Sequence, residues 1–259
     1  MTWQAAVMGQ PVAALQRDIV SDYAASVGLD PLVHYAGGAR LRPLPPLDAR
    51  VGGIMIVGAY PSARFESMGG LQDVPVGDNL GPFEHERYFD GRRVRTQASA
   101  DELAAHYLAP LGIDRRQCWI TDLVKVFLFK EGHRRKYKEL GIAAPHGYER
   151  EQFEDLGKAS LEWLQREIAV ARPRLLVTLG AEVAGIVRDV HGATRRKSLL
   201  GEPIADVSFL GAAPTSTVHL AHPGIVMRGD GLSRNHWPLT HREHIAWLRP
   251  ELERLQLAP

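Results

Sequence analysis

Four short runs of β-prone residues, separated by helical patterns, constrain the fold of this chain more than any other feature. The runs are IMIVG at 54–58, WITDLVKVFLF at 119–129, LLVTL at 175–179 and STVHL at 216–220. Runs as apolar as these are typical of strands buried on both faces of a sheet. Strands that alternate with helices predict an α/β fold, in which helices cover both faces of a parallel sheet.

The helical patterns are recognised by apolar spacing and by end signals. The spacing of Ser99 and Glu102 predicts a capping box, and Gly112 is expected to stop the apolar stripe that follows. The other predicted helices cover residues 1–36 (as one or two helices), 149–171, 181–192 and 241–256. Residues 61–97 are rich in Gly, Pro and Asp and predict a long functional loop, and residues 130–140 predict a basic loop.

Length and composition indicate an ordinary globular protein. With 259 residues, of which 45% are hydrophobic, we expect one domain over 1–259, with 1–45 as an N-terminal helical extension. Neither a membrane span nor a secretory signal is evident, so we expect a cytoplasmic monomer without membrane contact. The single cysteine, Cys118, excludes an internal disulfide and a cysteine-cluster metal site, and we expect no metal. Because the net charge is only +1, nucleic acid would have to be bound by a local basic patch.

The strand ends carry residues that are not structural filler. In a parallel sheet of this kind, ligands bind at the carboxyl ends of the strands. The four runs deliver the segment from Gly58 to Pro61, Asp122, Gly180 and His222 to these ends, and we expect them to line one crevice. The sequence lacks the signatures of NAD-binding, NTP-binding, zinc-protease and α/β-hydrolase sites.

Four motifs, taken in order, resemble the uracil-DNA glycosylase superfamily. They are GAYPS after the first run, ITDLVKV in the second, LLVTLGAEVA at the third and HPGIVMR after the fourth. The superfamily has a G-x-x-P loop, an Ile-Thr-Asn-Val-Val-Lys-like strand, an apolar strand ending in Leu-Gly-Ala and a His-Pro-Ser-Pro-like loop in this order. The match spans about residues 52–230. The resemblance implies a three-layer α/β/α sandwich with a four-stranded parallel sheet.

The resemblance also implies an activity and a partner. Such proteins hydrolyse the N-glycosidic bond of a damaged or deaminated base, such as uracil, that is flipped out of DNA during base excision repair. No cofactor is expected, because the iron–sulfur cluster of some branches needs four cysteines. Three alternatives stay open: a nucleic-acid-binding relative that is weakly active or inactive, an enzyme acting on free nucleosides or nucleotides, and a structural helper whose crevice is vestigial.

By position, the resemblance assigns His222 to stabilisation of the departing base. A neutral imidazole can donate one hydrogen bond to a developing oxyanion. The structural alternative is a buried histidine that binds a backbone carbonyl. The next loop would enter the minor groove, with Pro223, Gly224, Met227 and Arg228 as predicted DNA contacts. An ordinary surface loop is the alternative there.

The first loop matches the G-x-x-P motif but lacks its acid. Its predicted base contacts are Gly58, Ala59, Tyr60 and Pro61, and Ser62 is a predicted DNA contact. Members of the superfamily place Asp, Asn or Glu at the second or third residue of this loop to position water. Here those residues are Ala59 and Tyr60. Glu66 is the nearest acid and is predicted as the substitute catalytic group, with a solvated loop charge as the alternative.

Asp122 stands where many members carry the asparagine that reads uracil. An amide both donates and accepts a hydrogen bond, whereas an ionised carboxylate only accepts. An ionised Asp122 would therefore pair better with an exocyclic amine than with uracil O4. Three interpretations stay open: a preference for an amino-bearing base, a catalytic carboxylate that activates water, and a strand-end residue that caps backbone N–H groups.

The base-stacking aromatic is expected in the loop after the first run. Phe83 is the first candidate, Phe89 the second and Phe65 the third, and loop packing is the alternative for each.

Basic residues near the second run are candidates for phosphate contacts. The predicted contacts are Lys125, Arg134 and Arg135, the last two from a basic cluster at 130–138. A second basic cluster lies at 195–197. A solvated charged face is the alternative for both clusters.

Overall fold

A mixed β-sheet lies at the centre of the computed structural model, which describes residues 3–201, 204–207, 215–226 and 236–257. The strands are β1 Ile54–Gly58, β2 Ala63–Met68, β3 Leu71–Asp78, β4 Arg87–Phe89, β5 Val94–Thr96, β6 Cys118–Asp122, β7 Leu175–Leu179, β8 Ile204–Val207 and β9 Thr215–Leu220. The central sheet has the order β6-β1-β7-β9-β8, and β2-β3 and β4-β5 form separate hairpins.

The four predicted strands are confirmed and run parallel. β1 lies between β6 and β7, with Ile54 opposite both Cys118 and Leu175, and β7 pairs with β9. β8 adds an antiparallel edge strand that the sequence did not predict. The right-handed alternation of strand and helix therefore builds the expected sheet, and only its edge differs.

Helices cover both faces of this sheet. They are α1 Trp3–Ser26, α2 Ala98–Leu103, α3 Glu131–Glu139, α4 Phe153–Ala159, α5 Leu161–Ala171, α6 Ala181–Val187, α7 Ala193–Lys197, α8 Pro223–Val226 and α9 Trp237–Arg254. The architecture is the three-layer α/β/α sandwich that was expected. Within the described ranges, no helix is long and apolar enough to cross a membrane.

Alternate residues of each strand enter two separate cores. Met55 and Val57 pack with Ile19 and Tyr23 of α1 and with Leu164 of α5, on what we term the α1 face. On the other side, which we term the α9 face, the core joins Ile54 and Ile56 to α2 and α9; it includes Leu103, Tyr107, Leu248 and Leu252. This two-residue alternation fixes the face to which each strand-end side chain points.

The N-terminal helix α1 is held in place by polar contacts as well as by packing. The Tyr23 hydroxyl lies 2.6 Å from Ser160 Oγ, and the Trp163 indole N–H donates to Ser26 Oγ at 2.8 Å. Ser160 Oγ also donates to the Leu156 carbonyl at 2.7 Å. The predicted helix over 149–171 is broken at Ser160 into α4 and α5, because the serine hydroxyl competes for backbone groups there.

The stretch predicted as a long loop contains both hairpins. Gly69 and Gly70, with φ of 56° and 82°, form the turn between β2 and β3. Paired glycines with positive φ suit a two-residue hairpin turn. Apolar periodicity does not detect this turn signal.

The stretch predicted as a basic loop is a helix, α3, so that prediction was wrong. The Lys130 N–H donates to His133 Nδ1 at 3.3 Å at its start. Tyr137 anchors the helix, because its buried hydroxyl donates to the Pro75 carbonyl at 2.7 Å. Lys, Arg and Glu are good helix formers, and one buried aromatic is enough to fix a helix of this length to the surface.

Beyond Asp122 the chain leaves the sheet but stays inside the protein. Residues 123–129 form no strand, yet their side chains are between 0 and 3% exposed. Their backbone groups are paired: Leu123 and Val124 donate to the Gly58 and Ala59 carbonyls at 2.9 Å, and Phe129 donates to the Tyr148 carbonyl at 2.7 Å. The predicted second strand is therefore shorter than the apolar run.

Candidate nucleobase site

The carboxyl ends of the four parallel strands meet at one edge of the sheet, as predicted. Gly58 of β1 lies opposite Asp122 of β6. On the other side, the Gly180 N–H donates to the Leu220 carbonyl at 2.7 Å, and a Cβ on Gly180 would lie 3.5 Å from the His222 Cβ. Three strand spacings separate the backbones at Asp122 and His222, or about 14 Å. That width admits a nucleobase together with a side chain from each end.

Asp122, Gly58 and Phe83 meet at the β6 side of this edge. A Cβ on Gly58 would overlap Asp122 Oδ1 and would lie 2.5 Å from Cε2 of the Phe83 ring. Only the hydrogen of glycine leaves room for both groups. Phe83 itself has φ of 53°, a conformation that is strained for a residue with a bulky side chain. The chain therefore places an aromatic ring next to a carboxylate on the α9 face, and Phe83 is the aromatic candidate that lies at the site.

The Asp122 carboxylate is buried, and its charge is not neutralised by a contact with any described residue. It is 2% exposed, and neither of its oxygens has a hydrogen-bond partner among the described residues. Burial raises the pKa of Asp122 to about 7; the charge of Lys125 opposes this shift and that of Glu167 adds to it. Backbone capping by this side chain, one of the three interpretations, is not seen in the described structure. At neutral pH the protonated and ionised forms are both populated.

The predicted phosphate contact at Lys125 is wrong. Its side chain is completely buried on the α1 face, where Nζ lies 3.0 Å from Glu167 Oε1. It also donates to Thr121 Oγ1 at 2.9 Å and to the Asp122 carbonyl. A lysine four residues after a strand-end threonine folds back under the strand, because burying its charge requires a carboxylate and several acceptors. Lys125 thus fixes the backbone of Asp122 and is inaccessible to DNA.

His222 has a defined proton arrangement. Its Nδ1 accepts a hydrogen bond from the Gly224 N–H at 3.1 Å, so the neutral ring carries its proton on Nε2. Its carbonyl accepts from Ile225 and Val226 and starts the single turn of α8. Of the predicted groove loop, Pro223 is buried and Gly224 half-buried, whereas Met227 and Arg228 lie outside the described residues.

The G-x-x-P loop is held by the segment that follows β6. The Gly58 and Ala59 carbonyls accept from Leu123 and Val124, as described above. Ala59, Tyr60 and Ser62 are half-buried, and Pro61 is buried. No contact in the described structure brings Glu66 to the position of the acid that this loop lacks. That residue lies in β2 opposite Val74, and its carboxylate makes no hydrogen bond or ion pair within the described ranges.

One cluster beside the loop was missed at the sequence level. The Arg150 guanidinium lies 5.6 Å from the centre of the Tyr60 ring and 4.8 Å from that of Phe153, and it pairs with Glu182. Burial raises the pKa of Tyr60, and Arg150 opposes the shift. Glu182, directly after Leu-Gly-Ala, could have been found as a strand-end residue. Arg150 could not, because it lies in a short 3₁₀ turn far from any strand end.

The other predicted aromatic and basic residues lie elsewhere. Phe89 is on the β4-β5 hairpin and is 62% exposed, and Phe65 packs against Phe127 at 6.1 Å. Arg134 lies 2.7, 3.3 and 3.9 Å from carboxylates of Glu131, Glu151 and Glu149, which compete with any phosphate. Arg135 is the more available cation of α3, with a side chain 71% exposed.

A separate cavity of about 660 Å³ opens on the α9 face, away from Asp122. Its lining includes His106, Val226, His241, Ile245 and Arg249. Its lining reaches α8, where the Val226 N–H donates to the His222 carbonyl at 3.3 Å. The candidate site is therefore defined by converging side chains, and this cavity is a different feature.

Comparison with protein families agrees with this geometry. The family model for the uracil DNA glycosylase superfamily matches residues 45–249, which is most of the chain and includes every strand of the central sheet. The chain belongs to the uracil-DNA glycosylase superfamily. Among curated proteins, none matched the chain.

Proposed function

We propose that this protein is a DNA glycosylase that hydrolyses the N-glycosidic bond of a deaminated base, uracil in the first instance, flipped out of DNA for base excision repair. Membership of the superfamily supports the reaction class. The observation that carries the proposal is the buried Asp122 carboxylate, which no described residue hydrogen-bonds, beside the Phe83 ring. A buried polar group without a partner is costly, and a bound ligand supplies the missing hydrogen bonds.

A flipped base is bound by stacking on an aromatic side chain and by hydrogen bonds to its Watson–Crick edge. Phe83 supplies the ring and Asp122 the polar edge contact. With a pKa of about 7, Asp122 is often protonated at neutral pH. A protonated carboxyl both donates and accepts, so it can serve uracil O4 and N3–H as an asparagine amide does.

His222 is the proposed stabiliser of the leaving base. As the glycosidic bond breaks, negative charge develops on the base and positive charge on the sugar. A neutral imidazole protonated at Nε2 donates to the developing oxyanion without bringing a charge of its own. Water then captures the sugar cation. Because Asp122 and Phe83 are only 2% and 8% exposed, base entry requires the ring to move from Gly58.

A second candidate is a relative that binds damaged DNA without releasing the base. The observation that favours it is the first loop. Ala59 and Tyr60 cannot act as a carboxylate base, and the carbonyls of Gly58 and Ala59 are already hydrogen-bonded.

The test is base release from oligonucleotides that contain uracil, hypoxanthine, xanthine or mismatched thymine, followed by cleavage at abasic sites. We expect Asp122→Ala and His222→Ala each to lower the rate about a hundredfold or more. Asp189→Ala and His146→Ala, whose side chains are 91% and 97% exposed, are the matched controls and should retain full activity. Wild-type rates in both site variants would remove the assignment, and binding without release would favour the second candidate.

A further inference from the structure

The β4-β5 hairpin, residues 87–96, has an inner and an outer face. On the inner face, the Tyr88 hydroxyl accepts from the Phe65 N–H at 3.1 Å, and Arg95 pairs with Asp73 at 2.6 Å and with Asp90. These contacts fasten the hairpin to the β2-β3 hairpin. The alternation of a strand then points Arg87, Phe89, Val94 and Thr96 outward, and all four are exposed.

The outer face presents an apolar pair to solvent. Phe89 and Val94 are directly opposite each other in the ladder and are 62% and 57% exposed. A cross-strand aromatic and β-branched pair stabilises a sheet through mutual contact, and both side chains of this pair also keep most of their surface open to solvent. Here nothing in the described structure covers it, so the pair suits contact with a ligand.

The hairpin turn holds two further arginines rigidly outward. Asp90, 1% exposed, accepts from the backbone N–H groups of Arg92 and Arg93, both at 2.8 Å. The Arg93 side chain is 76% exposed and lies 4.0 Å from Asp90. Asp90 is occupied by backbone donors and by Arg95, so the exposed charge of the turn is positive.

The base of the hairpin adjoins the G-x-x-P loop. Gln97 Nε2 donates to the Ala63 carbonyl at 3.4 Å, and Arg64 pairs with Glu86. The Gln97 N–H donates to the Glu86 carbonyl at 3.2 Å. Phe83 of the candidate site precedes Arg87 by only one short turn of chain. The base of the hairpin therefore lies beside the crevice.

We propose that the outer face of residues 87–96 binds the DNA that flanks the flipped nucleotide, with Arg87, Arg92 and Arg93 contacting phosphates and Phe89 stacking on an unpaired base. Arginines beside an exposed aromatic match the polyanionic backbone and flat bases of a nucleic acid. The inference rests on the proposed function in that DNA is the substrate.

The test measures affinity for undamaged single-stranded and duplex oligonucleotides by fluorescence anisotropy over a range of salt concentrations. Arg92→Ala/Arg93→Ala should weaken duplex binding and reduce the slope of log affinity against log salt by about two, since each phosphate contact contributes about 0.9. Phe89→Ala should weaken single-strand binding by roughly tenfold and leave the salt slope unchanged.

Two control variants keep the test specific. Arg116→Ala removes an arginine that is 87% exposed in the turn before β6, where it pairs with Asp114, and Leu32→Ala removes a leucine that is 67% exposed. Both should match wild type. Thermal unfolding of each variant reports whether the fold persists.

Hairpin variants with wild-type affinity and salt slope would overturn the inference. Base release by such variants at wild-type rates would leave the glycosylase assignment intact. Conversely, weakened binding in the hairpin variants of a protein that releases no base would support the hairpin and overturn the assignment. A wild-type protein without affinity for DNA would overturn both.

Discussion

Two carboxylates lie buried on opposite sides of β6, and they differ in whether a cation and a hydrogen-bond donor contact them. Glu167, on the α1 face, is paired with Lys125 and hydrogen-bonded to Thr121 Oγ1 at 3.1 Å. Asp122, towards the α9 face, has no hydrogen-bond partner in the described part of the chain. Burial raises the pKa of both groups, and Lys125 opposes the shift in each.

The difference separates a structural acid from one that is kept for a ligand. Burying a carboxylate is tolerated when a cation and a hydrogen-bond donor are built in, as Lys125 and Thr121 are around Glu167 Oε1. Leaving Asp122 unpaired destabilises the folded protein, and strained or unsatisfied groups of this kind cluster at functional sites. Lys125 joins the two, because it neutralises Glu167 while its ammonium holds the backbone carbonyl of Asp122.

The largest effect is expected when the structural pair is broken. Lys125→Met leaves Glu167 buried without its cation, and we expect the free energy of unfolding to fall by about 3–5 kcal/mol. Urea denaturation measures the change. Lys125→Met/Glu167→Leu removes both charges and should recover most of the loss. If the double variant were as unstable as the single, the pairing would not be the cause.

Asp122→Asn should have the opposite effect on stability. The folded pKa of Asp122 is raised to about 7, so folding favours the protonated acid. The contribution of protonated Asp122 to the free energy of unfolding is intact below the unfolded pKa near 4 and is lost as pH rises through 7. The amide avoids this loss, and the variant should gain on the order of 4 kcal/mol at pH 8. Urea midpoints at pH 4 and pH 8 check it; an equal difference at both values would contradict the prediction.

Crowding at Gly58 should cost less but should affect both stability and activity. Gly58→Ala places a methyl group against Asp122 and the Phe83 ring, and we expect a destabilisation of about 2 kcal/mol. Base release should fall further than stability explains, since the ring would be displaced. Gly132→Ala in α3, where a Cβ meets nothing within 4 Å, is the control. Comparable losses in the two variants would exclude specific crowding.

The smallest expected effect concerns the pH dependence of uracil release. Since only protonated Asp122 donates a hydrogen bond, uracil release by the wild type should fall about tenfold per pH unit above pH 7. Asp122→Asn should show no such fall between pH 6 and pH 8.5. Single-turnover rates at several pH values measure this, and the same decline in the amide variant would assign the pH dependence to another group.

The sequence predicted the sheet better than it predicted the site. Apolar runs locate buried strands, and the order of the motifs located Asp122 and His222 at one edge. The direction in which the Lys125 side chain points could not be predicted from the sequence, because its partner Glu167 comes from α5, more than forty residues away. The same holds for the Phe83–Gly58 contact, which depends on how the two hairpins fold back over the strand ends. Long-range contacts of this kind carry no local pattern.

The covered stretch at 123–129 also limits how the molecule can vary. Its backbone is hydrogen-bonded to the G-x-x-P loop and to Tyr148, and its side chains are almost wholly buried. No protease could therefore bind this stretch without prior unfolding. Added or deleted residues would shift the position of the acid at its start and of the basic helix at its end together. Length variation should instead be accepted at the exposed Gly69–Gly70 turn.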